Sequence, residues 1–155
     1  VSNALRLVLG DRFRSKLLRM NAFGAYQKRI LHPRTGSDWL TRDEAIVEFC
    51  VGNKYCNYSF TVNGYRTLFE VLLYIQKQQH VRRIPKELPL FFIAGGQDPV
   101  GHYGKDVPRV AASYERAGVE DISIKIYRED RHEVLNELDK DEVYADVLSW
   151  LEQKL

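Results

Sequence analysis

The sequence predicts an α/β protein in which an irregular, helix-containing region of about 60 residues precedes a β-α-β-α unit with parallel strands. Three observations predict it. A continuous apolar run, "LPLFFIAG", has the length of a strand and the character of one buried on both faces, as in a parallel sheet. A second stretch, "DISIKIY", alternates Ile122, Ile124 and Ile126. Helical patterns lie between and after the two, and strand-helix-strand-helix order with short links implies a right-handed crossover.

Composition narrows the function classes. With 155 residues, 45% of them hydrophobic and 28% charged, the chain has the material for one folded domain with a core of ordinary size. A net charge of +2, with no dense basic tract interleaved with aromatics, argues against a nucleic-acid partner. No apolar run approaches the ~18 residues that a transmembrane helix needs. The opening "VSNALRLVLGDRFRSK" has an apolar patch without a preceding basic region or a cleavage site, so it does not read as a signal peptide. Its "SNA", with no Met at position 1, reads as a vector-derived remnant or as the beginning of a piece of a longer protein. Cys50 and Cys56 belong to no larger cysteine framework and are expected as free thiols in a reducing cytoplasm, with a disulfide as the alternative. His32, His80, His102 and His132 are scattered, and neither Cys has zinc-like spacing to another ligand; no metal and no cofactor is expected.

Along the chain, residues 1–60 read as short helices joined by long loops. "LTRDEAIVEFCVG" is the clearest helix: Thr41 and Glu44 form a capping box, Ala45, Ile46, Phe49 and Cys50 an apolar face, and Gly52 the stop. Eleven of the 18 aromatics lie at or before Tyr74, among them Phe13, Phe23, Tyr26, Trp39, Tyr58, Phe60 and Phe69. Set in irregular backbone, they form either a small core or the walls of an apolar substrate site. From residue 61 to 155 the pattern is regular. Thr61 or Asn63 caps a helix with a stripe of Leu68, Phe69, Leu72, Leu73 and Ile75, and "IPKELP" ends it. After the first strand Asp106 caps a helix that turns Val107, Val110, Ala111 and Tyr114 inward and ends at Gly118. The last helix, about Asp141 to Lys154, repeats Val143, Val147, Leu148, Trp150 and Leu151.

Parallel strands point their C-terminal ends the same way, and this gives two residues a possible joint meaning. Asp98 follows the end of the first strand and His132 the end of the second, so both can meet in one crevice at the edge where open α/β sheets hold ligands. A carboxylate in reach of an imidazole fixes its tautomer and stabilises its protonated form, so that the His can take a proton from a nucleophile. Taken singly, an Asp before Pro is a turn residue and a loop His is solvated. His102 and Tyr103 share the Asp98 loop, either lining a pocket or facing solvent, and Lys105 and Asp106 read as a helix entry.

"IAGGQDPVGHYGKDV" with "YREDRHEVLNE" resembles the C-terminal part of α/β-hydrolases of the lysophospholipase, monoacylglycerol lipase and serine aminopeptidase group. "DRFRSKLLRMNAFGAYQKRI" and "RTGSDWLTRD" are similar to the helical cap of its bacterial members. The resemblance implies a partial α/β-hydrolase fold, with a cap over residues 1–60 and the C-terminal part of the core over 61–155. It places the catalytic acid at Asp98 and the base at His132. One member of the triad is missing. None of Ser2, Ser15, Ser37, Ser59, Ser113, Ser123 and Ser149 stands in a G-x-S-x-G elbow, and no upstream H-G segment for an oxyanion hole is present.

The expectation is therefore the C-terminal half of a serine hydrolase cleaving carboxylic esters, monoacylglycerol- or lysophospholipid-like, inactive alone, without a cofactor. Phe23, Tyr26, Trp39 and Phe60 are its expected acyl-chain wall. Its expected partner is the N-terminal half of the same hydrolase, or a second copy through the open sheet edge, because two strands rarely make a stable sheet. An aromatic cap also suits contact with a lipid surface from the cytoplasm. The alternatives are a non-catalytic α/β binding or assembly module and part of an aminopeptidase or amidase.

Overall fold

The computed structural model describes residues 9–155; the "SNA" tripeptide and most of the N-terminal apolar patch lie outside them. From Ser15 to about residue 60 the described chain is built from two helices and long turns. Helix α1, Lys16–Phe23, starts at Ser15, whose Oγ accepts the Leu18 N–H at 3.3 Å. Helix α2, Glu44–Gly52, is capped by Asp43 rather than by Thr41: the Asp43 carboxylate accepts the Ala45 and Ile46 N–H groups. Thr41 has a different partner. It is fully buried and donates its hydroxyl to the Asn136 carbonyl, 2.9 Å away and 95 residues downstream. The inward face of α2 also differs from the predicted one, for Val47 is buried whereas Phe49 is 63% exposed.

Helix α3, Val62–Ile75, begins at Thr61, whose Oγ1 accepts the Gly64 N–H at 3.1 Å. Its first turn docks on α1, where Val62, Tyr65 and Leu18 form a buried cluster with Ala22, Phe23 and Phe60 against it. The predicted stripe behaves otherwise. Leu72, Leu73 and Ile75 are exposed among the described residues, where the second half of the helix is touched chiefly at Tyr74, whose ring lies 3.8 Å from that of His80. A four-residue turn, α4 (Gln78–Val81), follows.

Strands β1 (Leu90–Gly95) and β2 (Ile122–Tyr127) pair in parallel, from Leu90 opposite Ile122 to Gly95 opposite Tyr127. Helix α5 (Asp106–Glu115) makes the crossover. Asp106 lies in its first turn, paired with Arg109 rather than capping, and Ala111 is buried while Val110 is exposed. Gly118 ends the crossover at a φ of +96°, where a Cβ would be strained. β1 is not buried on both faces as expected: Leu90 to Ala94 are only half-buried, since the sheet has two strands. After a short 3₁₀ turn at Val134–Asn136 comes helix α6, Lys140–Glu152. Val143 of α6, Val134 and Tyr127 form the second buried cluster, with Ile93 of β1 against it, while Leu148 and Leu151 are exposed. Cys50 and Cys56 are free thiols, and no helix among the described residues is long and apolar enough to cross a membrane.

Candidate active site

The β1–β2 register ends both strands at one level, with Gly95 opposite Tyr127, so the loops that follow leave side by side. Their backbones bond directly. The Gly96 N–H donates to the Tyr127 carbonyl and the Gln97 N–H to the Asp130 carbonyl, both at 2.7 Å. Glycine is required for this approach: a Cβ on Gly95 would stand 2.0 Å from the Arg131 carbonyl oxygen. Gly95 and Gly96 thus let the two loops touch.

Asp98 then does two things at once. It is a turn residue, because its carboxylate accepts the Val100 N–H at 2.8 Å and the Gly101 N–H at 3.2 Å. It is also the partner of His132, whose Nδ1 lies 3.1 Å from Asp98 Oδ2. Two backbone donors and burial to 6% exposure fix the carboxylate, and the carboxylate orients the imidazole. The hydrogen bond to Asp98 raises the His132 pKa above the ordinary histidine value, helped by the charges of Asp98 and Glu133 and opposed by desolvation. Nδ1 faces Asp98, so the opposite nitrogen, Nε2, points away from the acid.

The N-terminal region supplies a roof. The Trp39 ring packs 5.1 Å from the imidazole, Tyr26 packs 4.8 Å from Trp39, and Phe23 packs 5.8 Å from Tyr26. Burial, with the nearby Asp98 charge, raises the Tyr26 phenol pKa. Three of the four predicted wall residues, Phe23, Trp39 and Phe60, line one pocket of about 390 Å³ together with Cys50, Tyr58 and Glu133. That volume is within the range of small-molecule sites. Tyr26 instead faces a second crevice of about 220 Å³ with Arg29, Gln97, Tyr103 and Arg131. Tyr103 and His102 both have positive φ, 58° and 52°, and the Arg29 guanidinium lies 3.7 Å over the Tyr103 ring.

Sequence reasoning missed a polar seam beneath the roof. Glu137, fully buried, accepts from the Arg42 backbone N–H and Nε and from the N–H groups of Arg131 and Leu138. Arg42 Nη2 also reaches Asp130 Oδ1 and Asp139 Oδ1, each at 2.7 Å. Carboxylate oxygens of Asp130, Glu137 and Asp139 converge to within 4.8 Å of one another, as in a cation site, and the Arg42 guanidinium supplies the cation. The Asp130 carboxyl is pushed up to about 6, by burial first and then by Asp139 and Glu137, with Arg42 opposing. The available sequence signal was the pair of short motifs "LTRD" and "RHEVLNE", which gives no hint that the two meet.

The comparisons with known proteins agree in fold. The family model described as serine aminopeptidase, S33, matches residues 5–139. A highly thermostable carboxyl esterase from Bacillus coagulans, solved in complex with glycerol, superposes with a TM-score of 0.87 at 25% identity over 98% of this chain and 50% of its own. A lipase in its open form gives a TM-score of 0.84 at 20% identity, over 97% of this chain and 49% of its own. A soluble variant of monoglyceride lipase from Saccharomyces cerevisiae, in complex with a substrate analog, gives 0.57 at 18% identity, over 90% and 50%. These last two carry the fold alone. No curated protein sequence matched. The chain spans about half the length of the structures it resembles.

Proposed function

The chain belongs to the serine aminopeptidase S33 family of α/β-hydrolases, and from that membership we propose that it carries the acid, the base and the cap of an ester-cleaving serine hydrolase. The observation that carries the proposal is the 3.1 Å contact between Asp98 and His132 at the C-terminal ends of parallel strands, under an aromatic roof. A serine outside residues 1–155 is the nucleophile, since none of the seven serines in the chain stands in an elbow sequence. His132 Nε2 takes the proton of that serine as its Oγ attacks the ester carbonyl, then gives it to the departing alcohol, forming an acyl-enzyme. Water, deprotonated by the same nitrogen, releases the acid and restores the serine. Asp98 holds the tautomer throughout. The pocket of Phe23, Trp39 and Phe60 takes the acyl chain, and a monoacylglycerol- or lysophospholipid-like ester is the substrate class.

The residues 1–60 form the cap and 61–155 the C-terminal part of the core, and the N-terminal half of the same hydrolase covers the apolar faces left open here. The family description favours an aminopeptidase or amidase as the second reading, because acid and base do not read the leaving group. A panel of p-nitrophenyl esters and aminoacyl p-nitroanilides, given to the full-length protein that contains this chain, separates the two. On the preferred ester, His132→Ala is expected to lower kcat by ~10⁴-fold or more with the circular dichroism unchanged. Turnover retained in that variant removes His132 from the mechanism, and no turnover of any ester or anilide by the unaltered full-length protein favours a non-catalytic module.

A further inference from the structure

We propose that Arg42 and Glu137 are positioning residues for His132, forming a clamp that holds the imidazole and its Trp39 roof as one unit. The inference rests on the reading of His132 as the base. Residues 38–42 run along the His132 loop and are bonded to it at each step. Arg131 Nη1 donates to the carbonyls of Asp38 and Thr41 at 2.6 and 3.0 Å. The His132 N–H meets the Trp39 carbonyl at 3.4 Å, and the Glu133 N–H meets that of Leu40 at 2.7 Å. Thr41 Oγ1 closes on Asn136.

Glu137 lies where these bonds would otherwise fail. Its two oxygens take three backbone N–H groups, of Arg42, Arg131 and Leu138, that have no strand or helix to accept them, and the Arg42 Nε–H besides. The Arg42 N–H is on one side of the seam and the Arg131 N–H, adjacent to His132, is on the other, so one carboxylate sets the spacing between them. Arg42 returns the charge with a planar fork: Nε to Glu137 and Nη2 to Asp130 and Asp139. Asp130 and Glu137 bracket His132 in sequence, and Trp39 is three residues before Arg42. Through the same side chains, the base and the ring above it are therefore placed together.

The fork requires arginine. Lysine keeps the charge and offers a point donor in place of the fork, and glutamine at 137 puts an N–H₂ among four donors. Arg42→Lys and Glu137→Gln are the test, with Thr41→Val as a milder variant that removes one seam bond if either of the first two fails to fold. The first readout is the titration of the His132 ring in this chain, followed by long-range ¹H–¹⁵N correlation. The expected result is a fall of the His132 pKa toward the ordinary value as the Asp98 contact loosens, with circular dichroism unchanged.

The second readout is ester turnover by the full-length protein. The expected result is a kcat lowered 10- to 100-fold, a KM within threefold of wild type and an acid limb of kcat/KM displaced to lower pH. A variant that merely lost folded protein would lower activity at all pH values and leave that limb in place. A His132 titration unchanged in Arg42→Lys and Glu137→Gln, or in Thr41→Val where those do not fold, overturns the clamp. A shifted titration without any effect on turnover keeps the clamp and removes His132 from catalysis, so the two failures are distinct.

Discussion

The seam between residues 38–42 and 130–137 and the outer faces of α3 and α6 are finished to different degrees. Along the seam, Thr41 and Glu137 are buried with their polar atoms bonded, and Asp98 is buried against two backbone donors and an imidazole. On the outer faces Leu72, Leu73, Ile75, Leu148 and Leu151 stand in solvent, beside a two-stranded sheet. A folded domain does not usually leave large apolar side chains on successive turns uncovered. The difference teaches that Asp98, His132 and the Trp39 ring are brought together within this chain, while the outer faces of α3 and α6 stay open among the described residues. The structures this chain resembles are about twice as long as it.

The largest expected effect of the three that follow tests how tight the seam is. In Gly95→Ala the new Cβ would meet the Arg131 and Asp130 carbonyl oxygens at 2.0 and 2.3 Å, and both are backbone atoms that cannot swing aside. The loops must part, at a cost of about 3 kcal/mol in urea denaturation. Gly52→Ala, at the end of α2, meets nothing within 4 Å and is expected to change stability by less than about 1 kcal/mol. Equal effects from the two substitutions would mean that the seam is no tighter than the surface at the end of α2.

Asp130 gives the seam a pH dependence. Its folded pKa of about 6 stands above the ordinary carboxylate value, so the folded chain binds more protons than the unfolded one between about pH 4 and 6. Stability from this group therefore rises as pH falls through 6, and above pH 6 the fold bears the full cost of a buried, crowded charge. Asp130→Asn is expected to raise stability at pH 8 by about 1–3 kcal/mol and to lose that advantage near pH 4. Arg42 keeps Glu137 and Asp139 as partners in the variant. Thermal melts across that range decide it; a destabilised variant at pH 8 would show that the ionised Asp130 is a net support of Arg42.

Local physics explains which parts were legible in sequence. The parallel β-α-β order follows from two apolar runs and a crossover pattern, and Asp98 and His132 follow from being at the ends of those runs. The cap of α3 is a neighbour-range bond, and of the two candidates, Thr61 and Asn63, it is Thr61 that makes it. Thr41 does not cap α2, because its hydroxyl goes to Asn136, and nothing local distinguishes a cap from a tertiary bond. Phe49 and Leu73 were assigned inward by helical period, yet period finds an apolar face without saying whether this chain contains the surface that covers it. Glu137 and Arg42 were invisible for the first reason: 95 residues separate them, and charged side chains read as solvated until their partners are known.

The smallest expected effect is on the open face, and there the sign depends on how much of the hydrolase is present. Leu73 is 66% exposed on α3, so in dilute solutions of this chain Leu73→Lys is expected to shift unfolding free energy by less than about 0.5 kcal/mol. Concentration-dependent association, followed by sedimentation velocity, should weaken in the same variant, because a lysine in each copy places like charges against each other. In the full-length protein the same lysine would be held against whatever covers α3, and burying it unpaired costs several kcal/mol. A loss of more than about 1 kcal/mol in the dilute chain would mean that Leu73 is already covered from within. The two regions would then be finished alike, and no second half would be needed to explain either.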